Sequence, residues 1–228
     1  MKSLILLVML VSSAATVQDL SGKILNFSEN RARSMAVKVM VTRDQLSALT
    51  VCHRSFTDLK RSHTLFSMTT PTDTSAFKTE YDISSPTQFK VRVRGTVAGY
   101  TNVNYSPNKW HSICSTWDSS TGVVQLWVDG QALTRKYTKE LPITGRPIVV
   151  LGQNPSKHGD AFVSTDFFVG MMSDVNMWDF VLTPCEIQRY MKDLSYSPGN
   201  VINWRNLDSL ITGRVFIENK QICRPEEL

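Results

Sequence analysis

The sequence predicts an all-β fold, a two-sheet sandwich with one α-helix, on three observations. Short β-rich runs separated by turn residues fill most of the 228 residues. Asp129-Gly130 stands between two apolar runs, and a type I′ hairpin turn needs positive φ at both central positions. One segment breaks the pattern and carries helix signals. Many short strands with one helix argue for a sandwich.

In chain order, the first element is a targeting segment. Lys2 precedes the apolar run Leu4-Ile5-Leu6-Leu7-Val8-Met9-Leu10-Val11, and Ser13-Ala14-Ala15 offers small residues in an A-x-A-like cleavage pattern. This predicts a secretory signal peptide over residues 1–15 and a single extracellular domain over 16–228. The apolar run would make about 12 Å of helix, against a hydrocarbon core roughly 30 Å thick, so no membrane span is expected.

The strands and the helix follow. Phe89-Lys90-Val91-Arg92-Val93-Arg94-Gly95 alternates strictly, which predicts a strand with its apolar face inward and its basic face toward solvent. Val123-Val124-Gln125-Leu126-Trp127-Val128 runs into the Asp-Gly turn. Pro147-Ile148-Val149-Val150-Leu151 is continuously apolar up to Gly152 and suits a strand buried on both faces. Thr183-Pro184-Cys185-Glu186 is a capping box with proline at the first helical position. Ile187, Tyr190, Met191 and Leu194 then recur at helical spacing, predicting a helix over about 184–194.

Composition excludes other classes. Hydrophobic residues at 42% supply a core, so the chain is not disordered. A net charge of +5, from 25 basic and 20 acidic residues, is too mild for a dedicated nucleic-acid binder. The four cysteines, Cys52, Cys114, Cys185 and Cys223, are even in number and lack CxxC spacing. In an oxidising compartment two disulfides are expected, and the spacing alone permits three pairings. Asn26-Phe27-Ser28 and Asn104-Tyr105-Ser106 are glycosylation sequons; Asn154-Pro155-Ser156 is excluded by its proline.

Catalytic chemistry is not apparent. His53, His63, His111 and His158 lack any metal-binding spacing and read as surface or packed residues. No G-x-S-x-G elbow and no phosphate-binding glycine loop occurs. A glycosidase needs two carboxylates across a cleft. Glu80-Tyr81-Asp82 has a strand-face spacing, yet it lies in a polar, loop-like stretch and reads as solvated charge.

Cys114-Ser115-Thr116-Trp117-Asp118-Ser119 resembles the pentraxin family signature, H-x-C-x-[ST]-W-x-[ST], with Ser112 at the histidine position and His111 one residue early. Leu126 to Gly130, Leu151 to Gln153, Val175 to Leu182 and Asn200 to Arg205 resemble the same family in the family's order. The resemblance implies a jelly roll of the concanavalin/laminin-G-like kind with one long helix on one face. It also implies a cyclic homopentamer without enzyme activity. One face would bind microbial or damaged-cell surfaces in innate immunity, and the opposite face would recruit complement or cellular receptors. The alternatives are a structural or carrier jelly roll without ligand binding, and a glycosidase on the same sandwich. The family disulfide would fall on Cys52 and Cys114, leaving Cys185 to pair with Cys223 and staple the C-terminal segment to the helix; the alternatives are one free thiol each or an intermolecular bond.

The family's double calcium site is implied too, but its ligands are degenerate here. Calcium takes six to eight oxygen ligands, several of them carboxylates. The first ligand pair falls at Thr74-Ser75 with Asp73 one place early. Asn154, Pro155 and Ser156 replace an acidic-amide loop, Val163 replaces a glutamate, and Asp166 stands at the final glutamine. Asp160 lies nearby, and Lys157 brings a cation toward the metal position. Weak or absent calcium binding is expected. The family's choline pocket is altered as well: Glu80 or Tyr81 stands near its aromatic, Lys90 near its small floor residue, and Gly95 to Ala98 near its glutamate. Lys90, Arg92 and Arg94 instead make a basic stripe. With Lys78 and Lys157 it could hold a phosphate- or sugar-bearing polyanion directly, without a metal. The bland reading of that stripe is an ordinary solvated face.

Overall fold

The computed structural model describes residues 16–28, 35–84, 88–158, 160–162 and 165–221. The expected signal peptide, Cys223, Val163 and the side chain of Asp160 lie outside the described residues.

Two antiparallel sheets make the sandwich. The first runs in the order Thr16–Gln18, Leu207–Thr212, Ala36–Met40, Ile148–Leu151, His63–Thr70, Asp73–Tyr81, Phe89–Val93 and Thr96–Tyr100. The second runs Gln131–Ala132, Val123–Val128, Lys109–Asp118, Ala48–Thr57, Gly170–Trp178, Lys23–Phe27 and Val215–Asn219, with Lys136–Tyr137 also paired to Val123–Val128. Alternate residues of both sheets fill the space between them. Phe66, Phe77 and Val91 from the first meet Leu49, Ile113, Trp117 and Leu126 from the second in one buried cluster.

Local chemistry explains several elements. Val128 pairs with Gln131, so Asp129 and Gly130 form a two-residue turn with φ of 50° and 84°. Ile148–Leu151 lies between two neighbours of the first sheet, and Val149, Val150 and Leu151 are fully buried, as the continuous apolar run demands. Gly152 follows at φ 75°, where a Cβ would stand 2.8 Å from the Phe27 ring.

The helix spans Pro184–Met191 and covers the outer side of the second sheet through Ile187, Tyr190 and Met191, packed with Trp127, Trp178 and the disulfide. Its capping box is formed: Glu186 N donates to Thr183 Oγ1, and Thr183 N donates to Glu186 Oε2 at 2.7 Å. It stops short of the predicted Leu194. Asp193 adopts the left-handed region and sends its carboxylate to Arg54, which leaves Leu194 exposed.

The disulfide joins Cys52 and Cys114, which stand directly opposite each other in neighbouring strands. Cys185 is exposed in the first helical turn and forms no disulfide among the described residues. Asn104 is exposed in a loop, whereas Asn26 lies within a strand and donates from Nδ2 to Glu218.

Two expectations need correction. Glu80 and Tyr81 belong to the long strand Asp73–Tyr81 rather than a loop, and Glu80 is buried, not solvated. The strand tolerates this acid because cations flank it on the same face. Arg94 lies beyond the strand Phe89–Val93, in a left-handed turn position, where it donates to the Pro142 carbonyl. The basic stripe is therefore shorter than strict alternation implied.

Candidate functional site

The candidate site is built on the outer face of the first sheet. Along Asp73–Tyr81, Phe77, Thr79 and Tyr81 turn inward; Thr79 meets Ser115 of the opposite sheet, and Tyr81 packs on the core. Period-two geometry then sends Lys78 and Glu80 outward. In the ladder with Phe89–Val93, Lys78 stands opposite Arg92 and Glu80 opposite Lys90. Glu80 is gripped from both sides, by Lys78 Nζ at 2.6 Å and Arg92 Nε at 2.6 Å. Lys90 pairs with Asp82, which also accepts from Ser62 and Ser84. The Lys90 ammonium, and then Ser84, hold the Asp82 carboxyl well below the usual carboxylate range.

The ladder continues into the segment after Gly152. Lys78 Nζ also donates to Asn154 Oδ1 at 3.3 Å. Asn154 Nδ2 reaches Asp166 Oδ2 at 3.5 Å, and Thr165 Oγ1 donates to Asp166 Oδ1 at 3.0 Å. Thr64 N donates to the Asp166 carbonyl at 2.8 Å. Arg61 closes the far end: Nη1 donates to the carbonyls of Thr165 and Phe167, and the guanidinium lies 4.1 Å from the Phe167 ring centroid.

The structure thus brings Lys78, Asn154, Asp166, Arg92 and, through its own acid, Lys90 onto one face. Asp73 is used elsewhere: its Oδ1 accepts from Ser75 N at 2.8 Å, and its side chain lines a small cavity with Arg94 and Ile143. Thr74 is exposed beside it. Ser156 and Lys157 lie exposed on the short strand Pro155–Lys157, and His158 Nδ1 lies 3.2 Å from Thr69 Oγ1. Of the two lysines it is Lys78, not Lys157, that contacts Asn154, one of the positions where the resemblance would place a metal ligand. Sequence reasoning missed Glu80 as the shared counter-charge and Arg61 as the clamp. Glu80 had a signal, since an outward acid faces two outward cations once Asp73–Tyr81 is read as a strand. Arg61 had none.

A calcium ion requires several converging carboxylates free to face it. Here the Asn154 carbonyl oxygen accepts from an ammonium group, and the Asp166 carboxylate accepts from Asn154 and Thr165. Among the described residues no group of three or more His, Cys, Asp or Glu side chains is placed to hold a metal ion. Asn154 and Asp166, as the described residues hold them, do not fit calcium.

Comparisons with known proteins bear on this geometry. The Pentaxin family profile matches residues 23–219. The chain is 34% identical to the C-reactive protein of Sus scrofa over 221 residues, covering 95% of this chain and 96% of that protein. It is 33% identical to the serum amyloid P-component of Mus musculus, covering 91% and 92%. The crystal structure of the native heptameric SAP-like pentraxin from Limulus polyphemus superposes with a TM-score of 0.79 at 20% identity, covering 90% of this chain and 98% of that one. The last likeness is one of fold.

Proposed function

Because the chain belongs to the pentraxin family, we propose that it is a secreted, ring-forming recognition protein of innate immunity that binds microbial or damaged-cell surfaces without calcium. One observation carries the calcium-free reading: the ammonium of Lys78 already sits between Glu80 and Asn154. A divalent cation brought there would meet like charge and acceptor oxygens already in use. Arg92 engages Glu80 through Nε, so its Nη fork is the group a phosphate, sulfate or carboxylate would take. Lys157 adds an exposed cation on the neighbouring segment. A cationic choline headgroup would be disfavoured on this face. Single contacts of this kind are weak, and display on a ring would multiply them. The domain is taken as residues 16–228, with the ligand face on the first sheet and the helix on the other. No helix among the described residues is long and apolar enough to cross a membrane. A role in binding rather than catalysis fits the pairing of Glu80 and Asp82 with cations, which ties up the only acid pair that sequence spacing had offered to a glycosidase.

The test is binding of the secreted protein to immobilised heparin and to phosphocholine-bearing albumin, in calcium and in EGTA. The expected result is heparin binding that EGTA leaves intact and salt weakens, with no phosphocholine binding. Binding that disappears only on chelation overturns the reading. A second reading, a carrier that works through its assembly alone, is favoured by the pairing of Lys90 and Arg92 with Asp82 and Glu80. An intact ring that binds neither surface would support it.

A further inference from the structure

We propose that Lys78 is a resident cation that latches the segment 152–168 onto the first sheet, so that the ligand face assembles without any metal. The inference rests on the calcium-free reading above and deepens it by naming the device.

The argument starts from burial. The Lys78 and Glu80 side chains are each only 10% exposed. A lysine ammonium has three donors and no acceptor, so burying it demands acceptors close by. Glu80 Oε2 on the same strand supplies one, and Asn154 Oδ1 on the segment supplies another. These acceptors come from separate parts of the fold: Lys78 and Asn154 are 76 positions apart. Asn154 passes the contact to the Asp166 side chain, and the Asp166 carbonyl takes the Thr64 amide of the adjoining strand. This chain, which begins at one ammonium group, joins the segment to the sheet beside Ser67 Oγ donating to the Gln153 carbonyl, Arg61 donating to the Thr165 and Phe167 carbonyls, and His158 Nδ1 close to Thr69 Oγ1. Both of its ends are fixed independently, by Leu151 and Phe168 in the core and by Phe168 N donating to the Gly152 carbonyl. Between these ends, Asn154 and Asp166 are the residues that the polar chain ties to the sheet.

Removing the ammonium has asymmetric consequences. Glu80 keeps Arg92, so its carboxylate stays compensated and the sheet survives. Asn154 Oδ1 loses a charge-assisted donor and has no such substitute among the described residues. The result is a loosened segment on an intact sandwich. The face would stay assembled where calcium is scarce.

Hydrogen–deuterium exchange on the full secreted chain tests this, in calcium chloride and in EGTA. The readouts are peptides covering 152–168 and the amide of Thr64, with the 48–57 strand as a control for the fold. Wild type is compared with Lys78→Met, which keeps the apolar stem, with Asn154→Ala, and with the double variant. Wild type is expected to exchange identically in both solutions. Each single variant is expected to raise exchange of 152–168 about tenfold. The double variant should add little, because both substitutions cut one chain. If wild type ignores calcium but the variants exchange as wild type does, or if the two substitutions act additively, the latch is wrong and the calcium-free reading stands. A wild-type segment protected only in calcium overturns that reading itself. Asn154→Ala keeps the latch falsifiable should Lys78→Met fold poorly.

Discussion

The two outer faces of the sandwich each hold a largely buried cation, and they use it differently. On the second sheet Arg54 donates to the Tyr190 carbonyl at 2.7 Å and pairs with Asp174 and Asp193. Lys220 reaches the same Asp174. That tie is one of several, because the helix also sits on Trp127, Trp178 and the Cys52–Cys114 disulfide. A cleft of about 650 Å³ stays open beside it, walled by Ile24, Trp110, Met171 and Met191. On the first sheet the ladder of Arg92, Glu80 and Lys78 covers the strands with paired charge, and the segment after Gly152 leans on that ladder. The lesson is one of redundancy. An ion pair beside apolar packing refines a position already decided; where the neighbouring ties are mostly polar, as with Arg61 on the Thr165 and Phe167 carbonyls, it carries a larger share.

Three measurements break or sharpen this contrast. The largest effect is expected at the disulfide. Replacing Cys52 and Cys114 together by Ala opens a crosslink across 62 positions and should cost about 4 kcal/mol in urea unfolding. A loss below about 1 kcal/mol would mean that the second face does not depend on its covalent tie, and the contrast in redundancy would fail.

The next effect is pH dependence, and it comes from the interior that both faces share. Burial lowers His53 to about 4, and its ring nitrogens find no hydrogen-bond partner among the described residues. Burial also lowers His63 to about 4, although its Nδ1 lies 2.9 Å from the Arg61 carbonyl and its Nε2 lies 3.3 Å from the Tyr105 hydroxyl. In the unfolded chain both rings take a proton near the ordinary pKa of about 6.5. The unfolded state therefore binds more protons between that value and 4, so stability falls as the pH drops through this window. Each ring should remove on the order of 3 kcal/mol by the bottom of it. His53→Leu should abolish about half of the acid loss. Thermal melts between pH 7 and 4 check this, and a flat profile for wild type would count against both rings being buried neutral.

The smallest effect is at the helix. Thr183→Ala removes the capping hydroxyl and should cost about 1 kcal/mol. Because Ile187 and Tyr190 are held from several sides, exchange at the helix should rise only in its first turn. Loosening along the whole helix would show that the cap, not the packing, holds that face.

Much of the fold was readable in advance because its causes are local. Asp129-Gly130 can take left-handed torsion angles wherever it occurs, and the Thr183–Glu186 box closes within one turn. The end of the helix was not readable, since it depends on Arg54 drawing in Asp193 from a distant strand. At the candidate site the position of Lys90 and Arg92 on one strand face followed from alternation, but their neutralisation by Asp82 and Glu80 did not. The acids looked like solvated loop charge because nothing nearby in sequence supplied their partners.

By itself, then, the sequence determined the strands at 89–93, 123–128 and 148–151, the Asp129-Gly130 hairpin turn, the start of the helix and the family likeness, all of which rest on periodicity, torsion preference and short motifs. It left the cysteine pairing open among its possibilities, and the resemblance pointed to the bond that the structure contains. Only the tertiary structure decided which cation stands beside Asn154. Lys78 and Lys157 are equally basic on paper. The register of Asp73–Tyr81 against Phe89–Val93 puts one of them between Glu80 and Asn154, while the short strand Pro155–Lys157 leaves the other in solvent. A charge acquires its role from the acceptors that folding brings to it, and those come from residues too far along the chain for any local pattern to record.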